Sequence, residues 1–339
     1  MNRILAFLRL IRLQNLIIIG LTMYLVRCCL IKPLVERVFL NLNVKMSLQM
    51  SELNFFLLCI STILIAAAGY SINDYFDIRI DRINKPHKII VGRHIKRRVA
   101  MGLHIILNII GILLGAWVSY SSGLWKLIGI QFFAVISLWL YSTNFKRRLI
   151  IGNVVVAFLA SLVILLPGLY EIPMIEIKYN LLLNTYNANL NFLIGYILFY
   201  ALFAFLMTFA REITKDVIDK KGDEITGCNT IPIFWGSKIA NWFITVTYII
   251  ILLLVFYVWE HFLIGEKTYF GDLIRFDLAT FLYLLIFVFI PLIWLIYKSI
   301  TTSSIKDYII GAKINKAVSL AGALYMITAY YTFMKGIIL

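Results

Sequence analysis

The chain has 339 residues, 62% hydrophobic and only 14% charged, with 32 Lys and Arg against 17 Asp and Glu for a formal net charge of +15. A mean hydropathy of +0.90 exceeds what a soluble domain of this length can bury, so the soluble globular classes are excluded. The apolar runs are continuous rather than alternating, which also excludes a spanning barrel; the expected class is all-α, a polytopic membrane protein.

The first apolar run follows Arg3, is interrupted by Arg9, Arg12, Gln14 and Asn15, and reaches Leu30 without a small-residue cleavage site. It reads as a first helix over 4–29 and not as a signal peptide. Further windows of roughly 20 apolar residues fall at 53–75, 99–118, 124–142, 151–170, 191–214, 238–259, 276–297 and 316–335. That predicts nine transmembrane helices in one domain over 1–339, with the polar segments 31–52, 171–190 and 260–275 on one side. With the N-terminus cytosolic, most of the 32 basic residues fall on the opposite, cytosolic side, including the run from Arg79 to Arg98. The charge therefore reads as a positive-inside signature and argues against nucleic acid as a partner. The expected location is a cell membrane, taken as a bacterial inner membrane, with the C-terminus outside. Cys28, Cys29, Cys59 and Cys228 lack metal-ligand or disulfide spacing, and His87, His94, His104 and His261 form no i, i+4 pair, so no transition-metal site is expected.

Two acidic clusters close apolar runs. Asn73-Asp74-Tyr75-Phe76-Asp77-Ile78-Arg79-Ile80-Asp81 ends the second predicted helix, and Arg211 through Asp223 ends the sixth. Carboxylates where a helix leaves the bilayer are costly and mark function. At about 100° per residue, Asn73, Asp74, Asp77 and Asp81 fall within a ~100° arc of one helical face. Asp216, Asp219 and Asp223 fall within a ~60° arc if the helix persists to Gly222, a residue type that often ends one. Such faces repel themselves unless cations sit between the acids. Oxygen-only ligands suit Mg²⁺, which completes its shell with water and substrate phosphates. The chemistry that needs two such faces is departure of a diphosphate. Matching positions four helices apart predict two four-helix units plus one helix.

Lys215 and Arg211, one turn before the second cluster, are placed to hold a phosphate by charge, with Lys146 at the end of the fourth helix as a further candidate. Tyr70, Tyr75 and Phe76 offer π faces to an allylic cation. Asn15 is a polar site candidate on the first helix. A cation-coupled transporter is the competing class, but coupling ions bind near the bilayer midplane, whereas these acids sit at helix ends. A membrane scaffold leaves the repeated carboxylate spacing unexplained.

The motifs carry a resemblance. Asn73-Asp74-x-x-Asp77-x-x-x-Asp81 resembles the first aspartate-rich motif of the UbiA superfamily of intramembrane prenyltransferases, and Asp219-x-x-Gly222-Asp223 its second. Arg82-Ile83-Asn84-Lys85-Pro86, Tyr141 through Lys146, and Gly152-Asn153 also resemble family signatures, over essentially the whole chain. Departures are Lys88-Ile89-Ile90-Val91-Gly92 in the loop after motif one, and Leu13 where Pro is common. The resemblance implies Mg²⁺ held by Asp74, Asp77 and Asp81 with Asn73, and by Asp219 and Asp223 helped by Asp216. It implies a prenyl diphosphate donor steadied by Lys215, Arg211 and Lys146, contacts from Tyr141 and Arg82, and a lipophilic acceptor within membrane lipid. The branch that makes digeranylgeranylglyceryl phosphate is most similar, and quinone-precursor prenyltransferases are next. Lys88, Arg93, Lys96, Arg97 and Arg98 beside motif one agree with an acceptor that brings a second anion.

Overall fold

The computed structural model describes residues 3–38, 45–259, 278–302 and 304–338. The predicted segment 260–275, His261 and the first two residues of the predicted helix 276–297 lie outside them. Every described element is helical apart from one isolated bridge, Val91 to Ile95. Eight described helices are long and apolar enough to cross a membrane. A further 34-residue helix, Ile305–Ile338, contains the predicted window 316–335.

The first predicted helix is divided. Helix α1 (Arg3–Leu10) stops before α2 (Leu13–Leu25), because Arg12 adopts a left-handed conformation with φ of 53°. The polar interruption at Arg9 to Asn15 coincides with this break. Beyond Leu25 the chain stays helical through a π-helical stretch, Val26–Ile31, to Arg37.

Helix α3 (Glu52–Phe76) starts on a serine cap, Ser51 Oγ accepting from Asn54 N at 3.2 Å. After Asp77 comes the short α4 (Ile78–Asn84). The backbone bonds Asp77 N to Asn73 O (2.9 Å), Asp81 N to Asp77 O (2.8 Å) and Lys85 N to Asp81 O (2.8 Å) keep the helical register across the junction. Motif one thus stays on one face, as its spacing predicts.

Helices α5 (Arg97–Ser121), α6 (Ile128–Thr143), α7 (Ile151–Lys178), α8 (Asn191–Ile225), α9 (Ser237–Val258), α10 (Ile290–Thr301) and α11 (Ile305–Ile338) complete the bundle. α3 packs most extensively on α5 and α7 on α8, while α11 closes the ring against α2. Close approach of α3 and α5 needs Gly111: a Cβ there would meet Ile65 Cγ1 at 2.8 Å, and Ser61 Oγ donates to the Gly111 carbonyl at 2.6 Å. Pro167 and Pro173 lie inside α7, which a packed membrane helix tolerates. Large apolar side chains such as Ile109, Leu113, Ile136 and Leu253 are exposed on the outer faces of the bundle, the pattern of a protein solvated by hydrocarbon.

α8 runs on past its predicted end at 214 and through Gly222 to Ile225, so the second acidic cluster lies on the helix itself. The segment 171–190, read as a loop, is helical to Lys178 and again over Asn180–Thr185. At the end of the bundle away from the aspartates, Arg27 and Glu171 are both fully buried and paired at 2.9 Å. Arg27 also reaches Glu52 at 2.7 Å and the Met50 carbonyl at 2.5 Å, and lies 4.5 Å over the Phe55 ring. Glu171 accepts from the backbone N of Gln49 (2.9 Å) and Met50 (3.2 Å), so this pair ties α2, α3 and α7 to the segment entering α3.

Candidate active site

Both aspartate motifs come to the same end of the bundle. The joint is the stretch after motif one. Asn84 Nδ2 donates to the Asp219 carbonyl and Asn84 Oδ1 accepts from Gly222 N, both at 2.9 Å, while Lys85 Nζ pairs with Asp219 Oδ2 at 2.5 Å. A Cβ on Gly222 would meet the Asn84 amide at 2.4 Å, so glycine here admits a neighbouring side chain and does not end a helix. The sequence motifs that surround the aspartates are therefore what dock α4 onto α8.

Lys146, in the turn Phe145–Arg147 after α6, stands at the centre. It forms an ion pair with Asp77 Oδ2, which also accepts from Asn73 Nδ2 at 2.7 Å. Burial opposes its charge, yet Asp77, Tyr141 and Asp223 outweigh that and hold its pKa above the ordinary lysine value. The turn can approach because α7 begins at a bare position: a Cβ on Gly152 would meet the Phe145 carbonyl at 2.8 Å. The next residue, Asn153, donates to Asp216 Oδ2 at 2.8 Å. Asp74 pairs with Arg12 at 3.1 Å, and the Arg12 guanidinium lies 4.7 Å over the Tyr70 ring. The side-chain carboxylates of Asp81 and Asp223 accept no hydrogen bond and form no ion pair among the described residues. Burial, then the like charge of Asp77, pushes Asp81 up to about 6.

Lys215 and Arg211 face Glu212, a buried carboxylate that the sequence reading did not single out, at 2.6 Å and 3.5 Å. Tyr141 stands among the charges of Glu212, Lys146, Asp77 and Asp216. Asn15 donates to the Tyr70 hydroxyl at 3.4 Å and accepts from Lys316 Nζ at 2.9 Å. Arg82 is not brought in: it is exposed on α4 with no ion pair among the described residues. Neither are the cations of the following loop. Arg97 lies 4.7 Å over the Tyr75 ring, Arg93, Lys96 and Arg98 are exposed, and the Lys88 side chain lies outside the described residues. Tyr75 packs against Leu10, Val91 and Ala100, and Phe76 meets Trp139 edge-on, so of the three proposed aromatic faces only Tyr70 lines the cavity next described.

That cavity, about 310 Å³, opens among α2, α3, α6, α7, α8 and α11. Its wall is mostly aliphatic, and Asn15, Tyr70, Arg211 and Lys316 mark its charged end. Between Arg211 and Tyr200 on α8 it runs roughly 16 Å at 1.5 Å per residue, the dimension of a hydrocarbon chain. Four residues beside the acids escaped the sequence reading as site members: Arg12, Lys85, Asn153 and Glu212. Arg12 and Lys85 were absorbed by the positive-inside pattern, and only the family signatures around Lys85 and Asn153 pointed to them.

The chemistry of the donors fits a hard divalent cation. Among the described residues no three acids or histidines converge as a preformed metal site. Mg²⁺, however, needs only one or two carboxylates and takes the rest of its shell from water and phosphate. Asn73 Oδ1 and Asp219 Oδ1, one from each motif, are buried acceptor oxygens without a hydrogen-bond partner among the described residues. Orphaned acceptors of this kind are expensive unless a cation or donor meets them.

The chain thus presents a polar, carboxylate-rich rim above an apolar chamber within a bundle of membrane-length helices. The chain matches the UbiA prenyltransferase family over residues 44–307 and belongs to it. It is 35% identical over 173 residues to digeranylgeranylglyceryl phosphate synthase of Methanosphaera stadtmanae, covering 51% of this chain and 54% of that one. It is 36% identical over 174 residues to the enzyme of the same name from Methanobrevibacter smithii, covering 51% and 56%. The matched stretch spans about half the length of these curated relatives. A solved structure of digeranylgeranylglyceryl phosphate synthase superposes with a TM-score of 0.60 at 23% identity, covering 97% of this chain and 99% of that one. A UbiA homologue from Archaeoglobus fulgidus bound to DMAPP and Mg²⁺ gives 0.55 at 17% identity, covering 95% and 99%. At these identities the likeness is one of fold.

Proposed function

We propose that this protein is an Mg²⁺-dependent prenyltransferase, moving a prenyl group, favoured as geranylgeranyl, from its diphosphate to a geranylgeranylglyceryl phosphate-type lipid. The observation that carries the reading is the gathering of carboxylates from both motifs around Lys146 beside an apolar cavity. The names of the relatives from Methanosphaera and Methanobrevibacter support the acceptor, and the Archaeoglobus homologue's ligands support donor and metal.

Asp74, Asp77 and Asp81 with Asn73 would hold one Mg²⁺, and Asp219 and Asp223, helped by Asp216, a second. Bound there, the metal supplies neutralisation of the diphosphate as the C–O bond breaks. Lys146, Lys215 and Arg211 steady the phosphate oxygens, with Lys215 as the cation that offsets the leaving charge. Tyr141 stands beside Lys146 and Asp77 at the polar end of the site, and Asn15 fixes the cavity wall beside Tyr70. The aliphatic cavity takes the prenyl tail and excludes water from the allylic cation, which Tyr70 faces with its ring. Arg82, at the exposed rim, contributes to capture of the anionic substrate by long-range attraction. One domain over 1–339 carries this chemistry, its helices arranged as two four-helix units with α11 as the ninth crossing.

A competition assay tests the function. Purified protein in lipid nanodiscs is offered labelled geranylgeranyl diphosphate and Mg²⁺ with geranylgeranylglyceryl phosphate, 4-hydroxybenzoate and 1,4-dihydroxy-2-naphthoate together. The expected product is the glyceryl lipid, and EDTA stops its formation. Prenylation of either aromatic instead would overturn the acceptor and leave the prenyltransferase standing; undiminished turnover in EDTA would remove the metal.

The active rim is proposed to face the cytosol, with the N-terminus on the same side and the C-terminus opposite, on the strength of the basic asymmetry. The relatives named above are archaeal and lend no support to a bacterial inner membrane in particular. Arg93→Cys, in a background without the four native cysteines, should react with an impermeant maleimide in inside-out vesicles and stay unlabelled in intact cells. Labelling from outside would reverse the orientation.

A further inference from the structure

A further group of charges lies at the start of the second acidic cluster, one to two turns before Asp219, at the charged end of the cavity. Among the described residues Glu212 is the carboxylate of this group, and it is buried. Facing it are Lys215 at 2.6 Å and Arg211 at 3.5 Å, while Arg12 is committed to Asp74. Lys316 enters from α11, lines the cavity and donates only to a neutral amide, Asn15 Oδ1 at 2.9 Å; no carboxylate pairs with it among the described residues. Arg211 also lines the cavity, and its Nε is buried without a hydrogen-bond partner among the described residues. Lys215 and Arg211 therefore share Glu212, while Lys316 lies near Arg211 with a charge that no carboxylate offsets among the described residues. An unbalanced charge at the wall of an apolar cavity is costly to hold, and an anion entering beside Lys316 relieves it.

The donor diphosphate already has its attendants in Lys146, Lys215 and Arg211, which are also paired with Asp77 and Glu212. Lys316 bonds to neither motif. It belongs to the wall that α11 and α2 share, and its chemistry suits a separate anion. A phosphate monoester carries about −1.5 to −2 charges near neutral pH and three strong acceptor oxygens, which suit an ammonium with donors to spare. A neutral alcohol would leave the Lys316 ammonium without a counter-charge.

We infer that Lys316, held in place by the Asn15 amide, is the subsite that holds the phosphate of the acceptor lipid. The inference rests on the acceptor class proposed above and assigns residues to it. Lys316 sets specificity by binding; it takes no part in bond breaking. The loop cations Arg93, Lys96 and Arg98, which the sequence suggested for this task, are exposed and away from the cavity lining.

The test compares Lys316→Met and Lys316→Arg with the unaltered full-length protein in nanodiscs, with geranylgeranyl diphosphate and Mg²⁺ at saturation. Two acceptors are used, geranylgeranylglyceryl phosphate and geranylgeranylglycerol, which lacks the phosphate. Lys316→Met should raise KM for the phosphorylated acceptor by at least about 10-fold, a charge-assisted hydrogen bond's worth. The preference for the phosphorylated over the neutral lipid should fall by the same factor, with KM for the donor within about twofold and Lys316→Arg recovering most of the loss. Calorimetric Kd values for the two lipids give the same comparison where the neutral one is not turned over. Equal losses with both acceptors would make Lys316 a tie between α2 and α11 and overturn the inference. A loss confined to the donor would assign the lysine to the diphosphate, with the same result. If the unaltered protein uses neither glyceryl lipid and prenylates an aromatic acceptor, the acceptor class fails first and the subsite falls with it; that control separates the two failures.

Discussion

Asp77→Asn and Asp219→Asn should each lower turnover by at least about 100-fold at saturating Mg²⁺, with little change in thermal unfolding in detergent. Each substitution keeps the shape of the side chain and removes one charge from the rim, so no core cavity opens. The two acids come from different motifs and have different partners, Lys146 and Lys85. Loss of Asp77 therefore also leaves Lys146 with a neutral amide in place of its carboxylate, which weakens the hold on the cation at the centre of the site. Initial rates with labelled prenyl diphosphate measure the effect. Turnover near the unaltered level in either variant would take that residue out of the site and, with both, would dismantle the metal–diphosphate reading.

The largest expected effect on stability lies at the other end of the bundle. Arg27→Met should destabilise the protein by about 3–5 kcal/mol, because it strands the Glu171 carboxylate, which is completely buried. The methionine fills most of the arginine's volume, so the loss is electrostatic. The two backbone donors of Gln49 and Met50 remain on Glu171 and cannot balance a full charge. The double variant Arg27→Met with Glu171→Gln should regain much of the loss, since an amide at 171 needs no counter-charge. Thermal unfolding in detergent follows both variants. A single variant that melts with the unaltered protein would show that Glu171 finds another way to be neutralised, and that the pair does not tie α2, α3 and α7 together.

Both predictions turn on contacts that join distant parts of the chain, and here the limits of sequence reading are concrete. The membrane class, the all-helical build and the positions of the apolar windows followed from hydropathy, because a bilayer demands a local, unbroken apolar run from each crossing segment. The two aspartate motifs were legible because helical periodicity fixes which of Asn73, Asp74, Asp77 and Asp81 share a face, and the backbone bonds across Asp77 preserve that register. The helix break at Arg12 was not read correctly, because an apolar average over 4–29 conceals a single left-handed residue. The end of α8 was misplaced for the opposite reason. Polar residues after 214 suggested an exit from the helix, whereas the helix persists through Gly222 and uses it to admit Asn84.

What only the tertiary structure decided is which charge meets which. Lys146 meets Asp77 across 69 positions, Lys85 meets Asp219 across 134, Arg27 meets Glu171 across 144 and Lys316 meets Asn15 across 301. In the sequence these cations look like any others that hold loops on one side of a membrane, since the positive-inside pattern counts charges without regard to their partners. Packing of α4 on α8 and of α11 on α2 turns some of them into site residues and leaves Arg82, Arg93 and Arg98 in the open. Local sequence determines the helix because its hydrogen bonds close within four residues. The pairing of charges depends on which helices touch, and that is set by the summed packing of the whole bundle.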